Sequence, residues 1–162
     1  MIRCMKRKVG ERGTTLLEFA IGATVFFTAM FGVLEFGRAL WTHNALADAA
    51  RRAARYAVNQ PASSPAGVSV TGANVGPSVT AIKNIAVYGN PEGTGQPIVN
   101  NLATGNVNVT YSNFGLGDGS VSVTITGYQF QFIVPLVGTS IAMPNYNTTL
   151  TGESAGTIPA PL

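Results

Sequence analysis

TTLLEFAIGATVFFTAMFGVL, residues 14–34, is the stretch on which the fold turns. It holds a single charged residue, Glu18, and no proline. At 1.5 Å per residue, a helix of this length reaches about 31 Å, roughly the thickness of a bilayer's hydrocarbon core. Its ten Leu, Ile, Phe and Val side chains favour insertion by roughly 3–6 kcal/mol, against a cost of about 3 kcal/mol for one carboxylate at mid-membrane. The balance predicts a transmembrane helix over about 14–34. Two other readings compete. A buried helix of a soluble core would not need the basic flank that precedes this one. A secretory signal peptide has an apolar region of roughly 7–15 residues and then a small-residue cleavage site. Here the run flows straight into Glu35-Phe36-Gly37-Arg38.

The composition of the whole chain agrees. Of 162 residues, 46% are hydrophobic and only 10% charged, well below the usual quarter for a soluble globular protein. Intrinsic disorder is excluded by the same figures. The net charge of +3 is unevenly spread. Five basic residues and one acid precede residue 14; five basic residues and six acids follow. The positive field thus lies on a short arm ahead of the apolar run, where the positive-inside rule puts a cytoplasmic flank. Nucleic acid is not an expected partner, since its recognition needs that field on the folded part. A single cysteine, Cys4, excludes a disulfide framework and a cysteine-based zinc site.

Glu18 needs a reason, because ionisable groups inside a membrane are expensive and usually paired. Gly13 stands between the basic arm and the apolar run. Cleavage after Gly13 would give Thr14 a positive amine, four residues and one helical turn from Glu18 on the same face. That amine would sit at the positive end of its own helix dipole. A carboxylate from the same or a neighbouring subunit would compensate it.

Arg12-Gly13, four residues, then Glu18-Phe19-Ala20 at the head of a long apolar helix resembles the class III signal peptide of type IV pilin-like proteins. More narrowly, Arg12 to Val58 is similar to the TadE-like pilus-assembly family. The similarity is carried by Glu-Phe-Gly-Arg at 35–38, Asn-Ala-Leu at 44–46 and the Ala/Arg-rich stretch at 49–57. It covers 47 of 162 residues. It implies a basic leader over 1–13, removed between Gly13 and Thr14, and Glu18 as the assembly carboxylate. It implies a minor pilin or pseudopilin of the Tad type IV pilus system, in a bacterial inner membrane, with the N-terminus cytoplasmic and the C-terminal domain extracytoplasmic. The implied partners are a prepilin peptidase, other pilin or pseudopilin subunits and the inner-membrane assembly platform, besides the lipid bilayer. No catalytic set, metal site or cofactor is expected. The alternative is an uncleaved single-pass membrane protein with an extracytoplasmic binding or adhesin domain.

No proline interrupts residues 14–60, and 45–57 is mostly alanine, a strong helix former. One helix over 14–59 is therefore expected, ended by Pro61. Leu46, Ala50, Ala53 and Ala57 make a small-residue stripe suited to packing on a neighbour or under the following domain. Phe19, Gly22 and Phe26, with Ala50 and Ala53, are the expected helix-packing positions. Trp41 and Arg38 stand where interfacial anchors would lie.

Residues 60–76 read as a Pro/Ser/Gly-rich linker and 77–162 as an α+β domain. Pro77 to Tyr88 reads as a short helix with Val79, Ile82, Ile85 and Ala86 on one side. Val107, Val109 and Tyr111 alternate with polar residues, as do Val121, Val123 and Ile125, which predicts an antiparallel hairpin. Further strands are expected around 127–134 and 140–150. Gly115-Leu116-Gly117-Asp118-Gly119 reads as a turn rather than a calcium loop, which needs several oxygen ligands. His43 reads as a helix-surface residue. The expected architecture is α+β and pilin-like: a long N-terminal helix, then a small domain with a short helix and an antiparallel sheet.

Overall fold

A computed structural model of the chain describes residues 11–63, 68–115, 119–134 and 138–152. Most of the expected leader, residues 116–118 of the expected turn and the end of the expected domain beyond 152 lie outside the described residues. The elements in chain order are α1 (Glu11–Val58), β1 (Val70–Ala73), α2 (Val79–Tyr88), β2 (Val107–Phe114), β3 (Ser120–Ile125), β4 (Gln129–Gln131), β5 (Ser140–Ala142) and β6 (Tyr146–Thr151). This is the expected α+β arrangement. The chain divides into two compact units. One holds α1 up to Arg38 together with the described residues of 132–139; the other holds α1 from Ala39 and the remainder.

α1 already includes Glu11, three residues before the position expected from the cleavage motif, so Gly13 lies inside the helix. Its end follows from the sequence. The Asn59 side chain donates to the Arg55 carbonyl at 2.9 Å, and Pro61 cannot continue the ladder. Along its second half, Asp48 and Arg52 form an i,i+4 ion pair. In an exposed setting such a pair contributes only a few tenths of a kcal/mol. Leu46, Ala50, Ala53 and Ala57 are fully buried, joined by Ala49 and Ala54.

In the larger unit, β1-β2-β3-β6 form a four-stranded antiparallel sheet and β4-β5 a separate two-stranded one. The expected hairpin is β2-β3, with Val107 opposite Ile125, Val109 opposite Val123 and Tyr111 opposite Val121. Because side chains alternate across a strand, these six share one face, and all six are buried. Gly119, at φ 120°, lies where that hairpin closes; a β-carbon there would collide with the Asn113 carbonyl. α2 buries Val79, Ile82, Ala86 and Val87, with Ile85 half-buried, and ends on Gly89 in the left-handed conformation. The core of this unit is the alanine-rich stripe of α1, the buried side of α2 and the inner face of the sheet.

Two expectations are corrected. The 60–76 stretch is not linker throughout, because Val70–Ala73 joins the sheet as an edge strand. Asn74, at φ 54°, closes it: its backbone N–H donates to the Val109 carbonyl and its side-chain oxygen accepts the Val109 N–H at 3.1 Å. A four-residue strand containing glycine shows almost no alternation in sequence. The expected strand at 140–150 is two strands, β5 and β6, separated at Pro144, and they pair with different partners.

The outer face of the sheet carries Asn108, Thr110, Ser112, Ser120, Ser122, Thr124, Asn147, Thr149 and Thr151 on β2, β3 and β6. Asn147 accepts from Ser122 and Thr124, and Thr149 donates to Ser122. Cross-strand hydroxyl and amide pairs of this kind tie strands together without charge.

Tyr111 is 1% exposed, and its hydroxyl has no hydrogen-bond partner among the described residues. Burial raises its pKa above the usual 10. A raised folded value means that the stabilisation it reflects is complete below pH 10 and is lost as pH rises through the folded pKa. Tyr111→Phe should therefore flatten the alkaline fall in thermal stability, measured as Tm against pH from 7 to 12. At neutral pH it should leave stability unchanged or raise it by about 1 kcal/mol, since it removes an unpaired buried hydroxyl. A steeper alkaline fall in the variant would contradict the assignment.

Candidate functional site

The first half of α1 is apolar and uncovered. Leu16, Leu17, Ile21, Val25, Val33 and Leu34 are exposed, and Phe19 reaches 74% exposure. Gly13–Val58 contains an 18-residue window of mean hydropathy 1.8, none of it buried. In water such a surface would be strongly unfavourable; in lipid it is the expected surface of a helix. The two hydroxyls within 19–34 are already satisfied: Thr24 donates to the Ala20 carbonyl and Thr28 to the Thr24 carbonyl, both at 2.8 Å. Hydroxyls bonded back one turn leave no unpaired donor to the hydrocarbon. A single N-terminal helix of this character is suited to membrane anchoring.

The expected site residues fall into two groups. Gly13, Thr14, Glu18, Phe19, Gly22 and Phe26 are all exposed on α1, and a β-carbon at Gly13 or Gly22 would meet nothing within 4 Å. That half of the helix is open to close approach by a neighbour. Glu18 has no ion-pair partner among the described residues. Ala50 and Ala53 are different. They are fully buried in the chain's own larger unit, so their packing is intramolecular. Trp41 is 62% exposed. Arg38 is engaged in an ion pair with Glu35.

Glu35, part of the Glu-Phe-Gly-Arg motif but not among the expected site residues, has a structural role that the sequence does not reveal. Just past the apolar run, it is only 3% exposed. One carboxylate oxygen accepts the backbone N–H of Ile133 at 3.0 Å and of Val134 at 3.2 Å. The other accepts from the Arg38 guanidinium, one turn along α1. Three charge-assisted contacts on a buried carboxylate fasten the segment after β4 to the helix. The sequence signal was Glu35-Phe36-Gly37-Arg38, an acid-to-base pair at i,i+3 beside an apolar run. Its backbone partners lie 98 and 99 residues away, beyond any local pattern.

His43 is exposed on α1, and its Nδ1 lies 2.8 Å from the Tyr146 hydroxyl, with the rings edge to face. Burial raises the Tyr146 pKa, with a smaller contribution from Tyr128. The pair joins α1 to β6. Among the described residues, no group of three or more His, Cys, Asp or Glu is placed to hold a metal ion.

Residues 13–55 match the family model for TadE-like protein. The match begins at Gly13 and takes in Glu18, the exposed apolar half of α1, the Glu35–Arg38 pair and most of the buried alanine stripe. No curated protein sequence and no solved structure matches the chain.

Proposed function

We propose that this chain, with its TadE-like match over residues 13–55, is a structural component of a Tad-type pilus: a prepilin-like minor pilin or pseudopilin. The observation that carries the reading is the coincidence of that match with an uncovered apolar helix whose first turns hold Gly13, Thr14 and Glu18. In this reading the precursor inserts with its basic arm in the cytoplasm of a bacterial inner membrane. A prepilin peptidase cuts after Gly13. The mature chain then packs against sister subunits through Phe19, Gly22, Phe26 and their neighbours, with Glu18 answering the new amine of Thr14. The folded unit, tied to the helix through the Leu46–Ala57 stripe, lies outside the membrane. The role is assembly rather than catalysis. The hundred residues beyond the helix favour a minor component over a major subunit, which in this pilus type is little more than leader and helix.

Co-expression with a prepilin peptidase tests this directly. N-terminal sequencing should find mature chain starting at Thr14, and Gly13→Phe should leave only precursor. An intact Met1, or a mature start near residue 40, would overturn the reading. An uncleaved membrane-anchored binding protein is the second reading. It draws on the sheet's outer face, an array of hydroxyls and amides suited to hydrogen bonding with a neutral surface. Under that reading, Gly13→Phe leaves the protein's size unchanged.

A further inference from the structure

We propose that residues 132–134, where the chain leaves β4, form a second lipid-contacting element, held beside the apolar half of α1 by Glu35. The proposal rests on the reading of residues 14–34 as membrane-spanning and adds to it an element that hydropathy does not reveal.

The first argument is depth. Val134 lines a groove of about 250 Å³ together with Ala23, Thr24, Phe27, Thr28 and Phe31. Phe31 is four residues before Glu35 and Phe27 eight, which at 1.5 Å per residue is about 6 and 12 Å towards the middle of the apolar run. A segment beside those turns of a spanning helix shares their depth in the bilayer. The second argument is backbone chemistry. Irregular backbone at membrane depth is tolerated only where its polar groups are satisfied by protein. Here the Phe132 N–H donates to the Thr139 carbonyl at 3.2 Å, and the Ile133 and Val134 N–H groups donate to Glu35. Three consecutive donors that lipid would leave unpaired are thus accounted for. The third argument is surface. Phe132, Ile133 and Val134 are apolar, and Ile133 is 71% exposed. An isoleucine left that open is unfavourable in water and favourable among acyl chains.

Charge placement fits the same occupant. Glu35 itself is buried and paired with Arg38, which stands one turn farther from the apolar run with its side chain 43% exposed. That is the arrangement in which a long basic side chain reaches the headgroup level while neutralising a carboxylate below it. Glu35 is therefore a positioning residue, setting where the 132–134 segment meets the bilayer.

The test uses the full chain with Cys4→Ser, reconstituted in vesicles of phosphatidylcholine and phosphatidylglycerol. An environment-sensitive fluorophore is attached in turn at Ile133→Cys, Phe26→Cys and Thr110→Cys. All three positions are solvent-exposed in the protein, so the label should not disturb folding, and circular dichroism checks this. The Ile133 probe should be quenched by spin-labelled acyl chains and shielded from aqueous iodide, as at Phe26; the Thr110 probe should show the reverse. Adding Glu35→Ala should remove most of the acyl-chain quenching at 133 while leaving that at 26 unchanged. If the 133 probe behaves like the 110 probe while the 26 probe is lipid-quenched, the helix spans alone and the proposal is overturned. If the 26 probe also reports water, the spanning reading itself fails and takes the proposal with it. Shielding at 133 without acyl-chain quenching, together with Ile133→Cys disulfide dimers, would assign this face to a second copy and overturn a lipid contact. Quenching at 133 that survives Glu35→Ala would overturn the role given to Glu35.

Discussion

Glu18→Gln is expected to insert and to be cleaved after Gly13, yet to fail at co-assembly with sister subunits. In the proposed function cleavage depends on Gly13, which the substitution leaves intact. Assembly would then place the ammonium group of Thr14 inside a packed, lipid-bounded array. Glutamine keeps the shape of the side chain and its acceptor oxygen but removes the charge. Two opposite charges 4 Å apart at an effective dielectric of 20 attract by about 4 kcal/mol. With about 1.4 kcal/mol for each factor of ten, loss of that attraction predicts a fall in incorporation of two orders of magnitude or more. Glu18 is exposed and, among the described residues, has no ion-pair partner, so its removal should not unfold the chain. Immunoblotting of membrane and sheared-fibre fractions, with the N-terminus sequenced in each, separates the two steps. Normal incorporation of the variant would remove the electrostatic basis of the proposed function.

Leu46→Ala is expected to destabilise the folded unit by about 2–5 kcal/mol, the usual cost of truncating a fully buried leucine. Leu46 is completely buried among small neighbours on α1, and fully buried alanines at 49, 50 and 53 offer no longer side chain that could swing into the space. For a folding unit of about 100 residues, each kcal/mol shifts Tm by roughly 4–8 °C, so a drop of at least about 8 °C follows. Leu40→Ala is the control. Leu40 is 49% exposed on the same helix, and its truncation should cost less than about 1 kcal/mol. Thermal unfolding of both full-length variants in detergent, followed by circular dichroism, checks the contrast. Equal shifts would mean that the stripe is not what ties the helix to its domain.

Much of this was legible without coordinates because the patterns involved are local. The apolar helix follows from composition over twenty-one residues, and its end follows from Pro61. The β2-β3 pairing follows from two runs alternating in opposite directions across a glycine-rich turn, and the buried residues are those whose alternation marked them. The short helix α2 lies where a 3.6-residue period placed it, although Val87 joined its buried side and Ile85 stayed half-exposed. The stripe Leu46-Ala50-Ala53-Ala57 was visible as a stripe, but its destination was not. Small residues permit close approach to any partner, and only the fold shows that the partner is the chain's own core.

A short window of residues suffices to specify an apolar helix long enough to cross a membrane, with a carboxylate near its head, its alanine-rich continuation, and a hairpin with one apolar face. Three features depended on contacts between distant parts of the chain. Val70–Ala73 became a strand because Asn74 could close it onto Val109. β6 lies beside β3 with a separate hairpin inserted between them in the chain. Glu35, rather than being one more solvated acid on a helix, was buried under the backbone of Ile133 and Val134. The physical reason is common to all three. Helical and strand periodicities are properties of neighbours in sequence, whereas a buried carboxylate or an edge strand depends on which distant backbone donors arrive to meet it.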